Sequence, residues 1–156
     1  IQIDQMLAEK FGMEYVDKDG TKKNPYIIHR TSIGCYERTL ALLIEKYAGA
    51  FPVWLAPVQI KLLPIADRHL DYVYEIKKQL EANGILRVEV DDRSVKLGYK
   101  LREAHLEKVP YMLAVGETDI ENTTVCVRTR KEGDKGAMAI DEFIKAVKEE
   151  IDTKRI

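Results

Sequence analysis

The chain has 156 residues, close to the usual size of one domain and long enough to bury a real core. Apolar residues make up 46% and charged residues 33%, which reads as soluble and globular rather than disordered or fibrous. With 25 Lys and Arg against 26 Asp and Glu, the formal net charge is -1, so the molecule exerts no general pull on nucleic acid and any such binding must come from a local patch.

No apolar run approaches the ~18 residues of a membrane span, and an opening that includes Gln2, Asp4 and Gln5 does not resemble a signal peptide. Cys35 and Cys126 stand far apart without CxxC spacing, which predicts two reduced thiols and a cytoplasmic protein with no membrane partner. The chain lacks an initiating Met and starts mid-pattern at Ile1, as a piece of something longer would.

Residues 1–31 read as strands with a turn. Ile1, Gln2, Ile3 and Asp4 form a short alternating run. Residues 13–16 and 26–28 are β-prone runs flanking a polar connector, residues 17–24, whose Gly20 suits a hairpin loop. The run Tyr26, Ile27, Ile28 brings up His29 and Arg30, and a turn around Gly34 leads into a helix expected from about Cys35 to Tyr47. Tyr36, Leu40, Leu43 and Tyr47 recur at helical spacing, and residues 40–44 are apolar all round, which predicts burial on more than one face. Gly49 and Pro52 end this helix. Arg38 falls in its first turn, where free backbone N–H groups favour anions and a guanidinium can meet a phosphate or a nucleotide ring. A solvated side chain or an ion-pair partner is the plainer reading of the same residue.

Residues 51–57 hold Pro52, Pro57 and the only Trp, Trp54. The domain boundary is expected here, with residues 1–54 on one side and 55–156 on the other, joined by a stiff, packed link. Beyond it strands and helices alternate. A strand is expected over residues 58–63, then a helix capped by Asp67 that buries Leu70, Val73, Ile76 and Leu80 and stops at Asn83-Gly84. A second strand over 85–90 and a helix over 96–108, carrying Leu97, Leu101 and Ala104, end at Pro110. A third strand covers 111–115, and a fourth, antiparallel, covers 123–130. Ile140, Phe143, Ile144, Val147 and Ile151 mark a final amphipathic helix. Three β–α units with central apolar strands predict an α/β domain whose mixed, mostly parallel sheet is flanked by helices.

His29-Arg30, Gly34 and Glu37-Arg38, followed by a Leu-rich helix, resemble motif 3 of the class II aminoacyl-tRNA synthetases. The stretch from Ala48 through Phe51, Pro52 and Trp54 to Gln59 is similar to the junction of catalytic and anticodon-binding domains in the threonyl-tRNA synthetases. The resemblance runs from Gln2 to about Arg155. It implies the end of a class II catalytic domain, antiparallel strands plus the motif 3 helix, followed by an anticodon-binding domain. It implies ligase chemistry in a longer, homodimeric enzyme: threonine and ATP with Mg give an adenylate, and the threonyl group passes to tRNA-Thr.

The resemblance also assigns roles. His29 matches one of three protein ligands to a catalytic zinc. The other two, a Cys and a His, are expected upstream of Ile1, and neither His69 nor His105 replaces them, so this piece is not expected to hold zinc tightly. Arg38 matches the catalytic arginine that contacts ATP. Cys35 sits where a substrate-pocket Ser is usual; a thiol makes a weaker hydrogen bond than a hydroxyl, and a small buried filler is its default reading. Gln2 lies on the strand lining the threonine and adenylate pocket.

Arg128 matches an anticodon-reading arginine, with Arg130 on the same strand face. Asp119 stands where a Glu is usual and Ser94 where an Asn is usual. Unpaired bases are read by stacking and by hydrogen bonds to their edges. Arg93, Lys96, Lys100 and Arg102 offer a phosphate-facing set, yet Glu89, Asp91, Asp92, Glu103 and Glu107 interleave with them, which leaves a solvated mixed-charge surface equally open. Tyr99 and Tyr111 either stack on bases or sit partly in the core. Because the motif 1 and motif 2 residues are expected upstream, the piece alone is expected to lack ligase activity. A second class of function is a non-catalytic, synthetase-like nucleic-acid-binding, accessory or regulatory protein. The joint presence of His29 and Arg38 counts against it.

Overall fold

The computed structural model describes residues 1–156 except Asn83 and Ile85. The expected helix stop at Asn83 and strand start at Ile85 therefore lie outside the described residues. The chain forms two compact units, Ile1–Leu42 and Leu43–Ile156.

In the first unit, β1 (Gln2–Asp4) pairs antiparallel with β4 (Ile27–His29), which sets Gln2 opposite His29. Asp4 ends β1 by turning the chain: its Oδ1 accepts the N–H groups of Met6 and Leu7 at 2.9 and 2.8 Å and opens the short helix α1 (Leu7–Lys10). β2 (Tyr15–Val16) pairs with β3 (Lys22–Lys23), not with the run at Tyr26 as the sequence led us to expect. The turn between them is tighter than the polar connector suggests. The Asp17 N–H donates to the Thr21 carbonyl at 2.8 Å, Gly20 takes a φ of +78°, and Asp19 Oδ1 accepts the Thr21 N–H at 3.0 Å. Closure at Thr21 draws Lys22 and Lys23 into the ladder and frees residues 27–29 for β1.

Helix α2 (Tyr36–Tyr47) forms where its periodicity placed it, but it buries none of its residues. Tyr36 is 83% exposed, Leu42 63% and Leu40 53%. The three-residue strands of this unit present too little surface to cover the apolar run that begins at Leu40. Cys35, expected as a buried filler, is exposed for the same reason.

Within the second unit, the link that follows α2 is packed, as expected. Val53 and Ala56 are buried, the buried Gln59 amide donates to the Val53 carbonyl at 2.8 Å, and the Arg87 guanidinium donates to the Ala56 carbonyl at 2.7 and 3.0 Å. Beyond it lies a five-stranded sheet in the order β6-β5-β7-β8-β9. The interior strand β5 (Ile60–Pro64) is buried along its whole length and runs parallel to β6 (Val88–Val90) and β7 (Tyr111–Val115). Strand β8 (Thr124–Thr129) is antiparallel to β7, and β9 (Gly133–Ala139) is antiparallel to β8 at the outer edge.

Three helices pack on this mixed sheet, as the strand–helix alternation predicted. Helices α3 (Leu70–Glu81) and α6 (Ile140–Asp152) cover one face, where Val73, Ile76, Leu80, Phe143 and Val147 meet Ile60, Leu62, Leu113, Val115, Val125 and Val127. Helix α4 (Leu97–Leu106) covers only part of the other, setting Ala104 against Leu63 and Met112.

Three local expectations change. Asp67 does not cap α3; it opens a 3-10 turn, Asp67–His69, and its carboxylate accepts the Ser94 hydroxyl at 3.1 Å instead. A short helix, α5 (Glu117–Asn122), joins β7 to β8. Strand β9 went unread because its sequence, GDKGAMA, lacks the alternation of a half-buried strand.

Candidate nucleic-acid interface

The connections fix where functional side chains gather. The chain leaves β5 through α3 to β6 on one side, then crosses through α4 on the opposite face to β7 on the other. Loops following the carboxyl ends of β5, β6 and β7 therefore share one end of the sheet, the place where open α/β sheets generally bind ligands. Asp67 follows β5, Ser94 follows β6, and Glu117 and Asp119 follow β7.

These loops are tied together. His69 is buried, and its Nδ1 accepts the Ala66 N–H at 3.3 Å, which leaves the ring proton on Nε2 to donate to Glu117 Oε2 at 3.2 Å. Arg68 Nε donates to the same oxygen at 3.0 Å. The bond from His69 and the charge of Arg68 hold the Glu117 carboxyl below the usual carboxylate range. Asp119 closes the first turn of α5: its Oδ2 accepts the Gly116 N–H at 2.9 Å, and its Oδ1 accepts the Thr124 hydroxyl at 3.3 Å.

From that contact the interface continues along β8. Thr124, Cys126 and Arg128 alternate with the buried Val125 and Val127, so they share the face carrying α4 and succeed one another at roughly 7 Å. Arg128 stands opposite Asp134 on β9, next to a register shift between Val127 and Arg128. Its Nε and Nη2 both donate to Asp134 Oδ2, at 3.1 and 2.8 Å. The guanidinium plane is thereby fixed, and this bond holds the Asp134 carboxyl below its usual range. Between the two predicted readers lies Cys126. Burial pushes its thiol up, and the charges of Asp134 and Asp119 add to the effect, so at neutral pH it stays protonated.

The basic set divides. Lys100 does not face a phosphate: it is 3% exposed, and its ammonium donates to the carbonyls of Pro64 and Asp91 at 3.1 and 3.0 Å, bracing the ends of β5 and β6. Arg93 is held by the buried Asp91, at 2.8 and 2.6 Å, and by Glu103 at 2.6 Å. Arg130 is spent on the backbone carbonyls of Lys108, Ala50 and Phe51. Tyr111 takes its core alternative, edge-on to Phe143 with its hydroxyl donating to Glu150 at 2.6 Å. Lys96, Tyr99 and Arg102 are exposed.

In the first unit the register brings Gln2 and His29 to directly opposed positions, so their side chains leave the same face of the ribbon. Arg38 is exposed in the first turn of α2. A catalytic zinc of the expected kind needs three protein donors. Among the described residues no group of three His, Cys, Asp or Glu could hold a metal, so His29 and its surroundings do not fit that ion.

The second unit is thus an α/β module that sets an arginine and a carboxylate along one strand face, and among the described residues no helix is long and apolar enough to cross a membrane. Residues 53–150 match the family model described as the anticodon binding domain, and residues 1–47 match that of the tRNA synthetase class II core domain (G, H, P, S and T). The chain belongs to the anticodon-binding-domain family of the class II aminoacyl-tRNA synthetases. Over 151 residues it is 60% identical to threonine–tRNA ligase of Clostridium perfringens (strain SM101), covering 97% of this chain and 23% of that protein. Over 154 residues it is 58% identical to threonine–tRNA ligase of Clostridium botulinum (strain Eklund 17B), covering 99% and 24%. Among solved structures, the RNA binding domain of threonyl-tRNA synthetase from Cryptosporidium parvum Iowa II superposes with a TM-score of 0.71 at 29% identity, covering 95% of this chain and 38% of that one. The chain thus spans about a quarter of the length of the curated relatives it matches. The resemblance to threonyl-tRNA synthetases and the mixed α/β fold are both borne out.

Proposed function

We propose that the chain is the anticodon-reading end of a threonine–tRNA ligase and that tRNA-Thr is its partner. Arg128, with Asp119 and Ser94, reads the unpaired anticodon bases, and residues 55–156 form the module that does so. The supporting observation is the row from Asp119 through Cys126 to Arg128: an acceptor and a donor on one open face, both oriented by bonds to protein groups. A guanidinium and a carboxylate discriminate base edges because each pairs with a complementary set of ring donors or acceptors, and a partner left unpaired costs about 1–3 kcal/mol. Asp134 occupies one flank of the Arg128 plane and leaves Nη1 for a base.

Residues 1–54 contribute the end of the catalytic half. There Arg38 meets ATP, and Gln2 and Cys35 line the threonine side, in a cytoplasmic, homodimeric enzyme that joins threonine to tRNA with ATP and Mg. His29 offers one imidazole, which alone does not make a zinc site.

The test is equilibrium binding of an anticodon stem-loop RNA. Wild type binds in the micromolar range or weaker, with affinity falling steeply as salt rises. Arg128→Ala weakens the threonine stem-loop about tenfold and removes the preference over other anticodons. Equal binding of all stem-loops by wild type and variant would overturn the reading.

A further inference from the structure

The part of the sheet that α4 leaves uncovered is not flat. Between α4 and strands β7 to β9 runs a groove of about 440 Å³ with an almost wholly apolar lining. Leu101, Leu106 and Met112 supply carbon surface, and Leu106 is 69% exposed with nothing packed over it. Arg102 and His105 border the groove from α4, Arg128 borders it from β8, and Arg130 from the turn that follows β8. None of the lining residues is acidic, on a chain whose net charge is -1. Arg128 is paired with Asp134, so Arg102 and Arg130 carry the positive charge at this rim, which the whole-molecule charge hides. Gly98 opens the helical stripe that continues through Leu101, Arg102, His105 and Leu106, and a Cβ placed there would meet no atom within 4 Å. Glycine inside a helix is unfavourable by about 1 kcal/mol, and here it leaves the groove wall bare.

We propose that this groove holds one unpaired RNA nucleotide next to the base that Arg128 reads. The flat base lies on Leu101 and Met112 against the bare backbone at Gly98. The Arg102 guanidinium faces its phosphate, and Arg130, held in place by three backbone carbonyls, adds fixed positive charge. Apolar surface and guanidinium planes together match a base with its phosphate, because every base has a π-face and every phosphate an anion. The proposal rests on the anticodon reading above and adds a second nucleotide site to it.

The test uses the full chain and a labelled threonine anticodon stem-loop, intact or with one loop base removed at a time. Gly98→Leu fills the groove from a helix position, so its thermal midpoint equals or exceeds wild type. It weakens the intact stem-loop about tenfold, the size of one lost stacking contact, and the loss vanishes against one particular abasic RNA. Arg102→Glu, at an exposed position, weakens binding likewise and serves where Gly98→Leu fails to fold. If both variants bind every RNA as wild type does while Arg128→Ala is weakened, the groove holds no nucleotide and the anticodon reading stands. If wild type and Arg128→Ala bind all stem-loops alike, the anticodon reading falls and the groove site falls with it.

Discussion

Residues 1–42 and 43–156 follow the same rules of local structure and reach opposite outcomes. In the second unit, each apolar stripe has a surface to meet: α3 and α6 close one side of a sheet whose interior strand β5 is wholly buried. In the first, Ala8 is the one buried apolar residue among those described, and the part of α2 that belongs to it leaves Leu40 and Leu42 largely in water. Amphipathic pattern and helix propensity are enough to form an element; burial depends on whether a complementary surface stands nearby.

The sharpest way to break this contrast is to hollow out the sheet. Phe143, 2% exposed and edge-on to Tyr111, fills the α6 side of the core. Phe143→Ala should lower unfolding stability by about 3–5 kcal/mol in a denaturant titration. An effect below 1 kcal/mol would mean that the second unit is no better packed than the first. A smaller effect, tied to pH, comes from the buried carboxylate at the end of β6. The Arg93 guanidinium beside Asp91 holds its carboxyl below the usual carboxylate range. A lowered native value contributes stability that is complete above the ordinary range and is lost as pH falls through the lowered one. Asp91→Asn should therefore cost about 1–3 kcal/mol at neutral pH, and its gap to wild type in thermal midpoint should close as the medium becomes acid. The smallest effect belongs to α2. Leu42→Gln, exposed and in a helix-compatible type, should change stability by no more than about 0.5 kcal/mol. It should also reduce self-association in sedimentation, since it removes exposed apolar surface.

How far the sequence is legible follows the same division. Tyr111–Val115 is a continuous apolar run and forms a strand over those very residues, because a strand buried on both faces needs no alternation. The final helix is equally plain from Ile140, Phe143, Val147 and Ile151. Strand β9 is invisible, because it exists only through its pairing with β8, with Gly133 and Gly136 at φ of +78° and +81°. The burial expected for α2 misleads, since periodicity shows which face is apolar but not what stands opposite. At the interface, Arg128 is found from the family pattern, but Asp134, which fixes its plane, lies in that unread strand. The sequence shows Lys100 as one more surface cation; only the closeness of two strand ends reveals it as a brace. The groove depends on where α4 rests on the sheet, which no spacing in the chain records.

The order β6-β5-β7 has a bearing on how the protein is made. Strand β5 leaves the ribosome well ahead of its neighbour β7: Pro64 pairs with Val115, about fifty residues later in the chain. At ~5–20 residues per second this delay lasts roughly 3–10 seconds. Throughout it the nascent polypeptide carries an apolar ribbon with at least one edge unmatched, a hazard for pairing with other chains until translation delivers its companion.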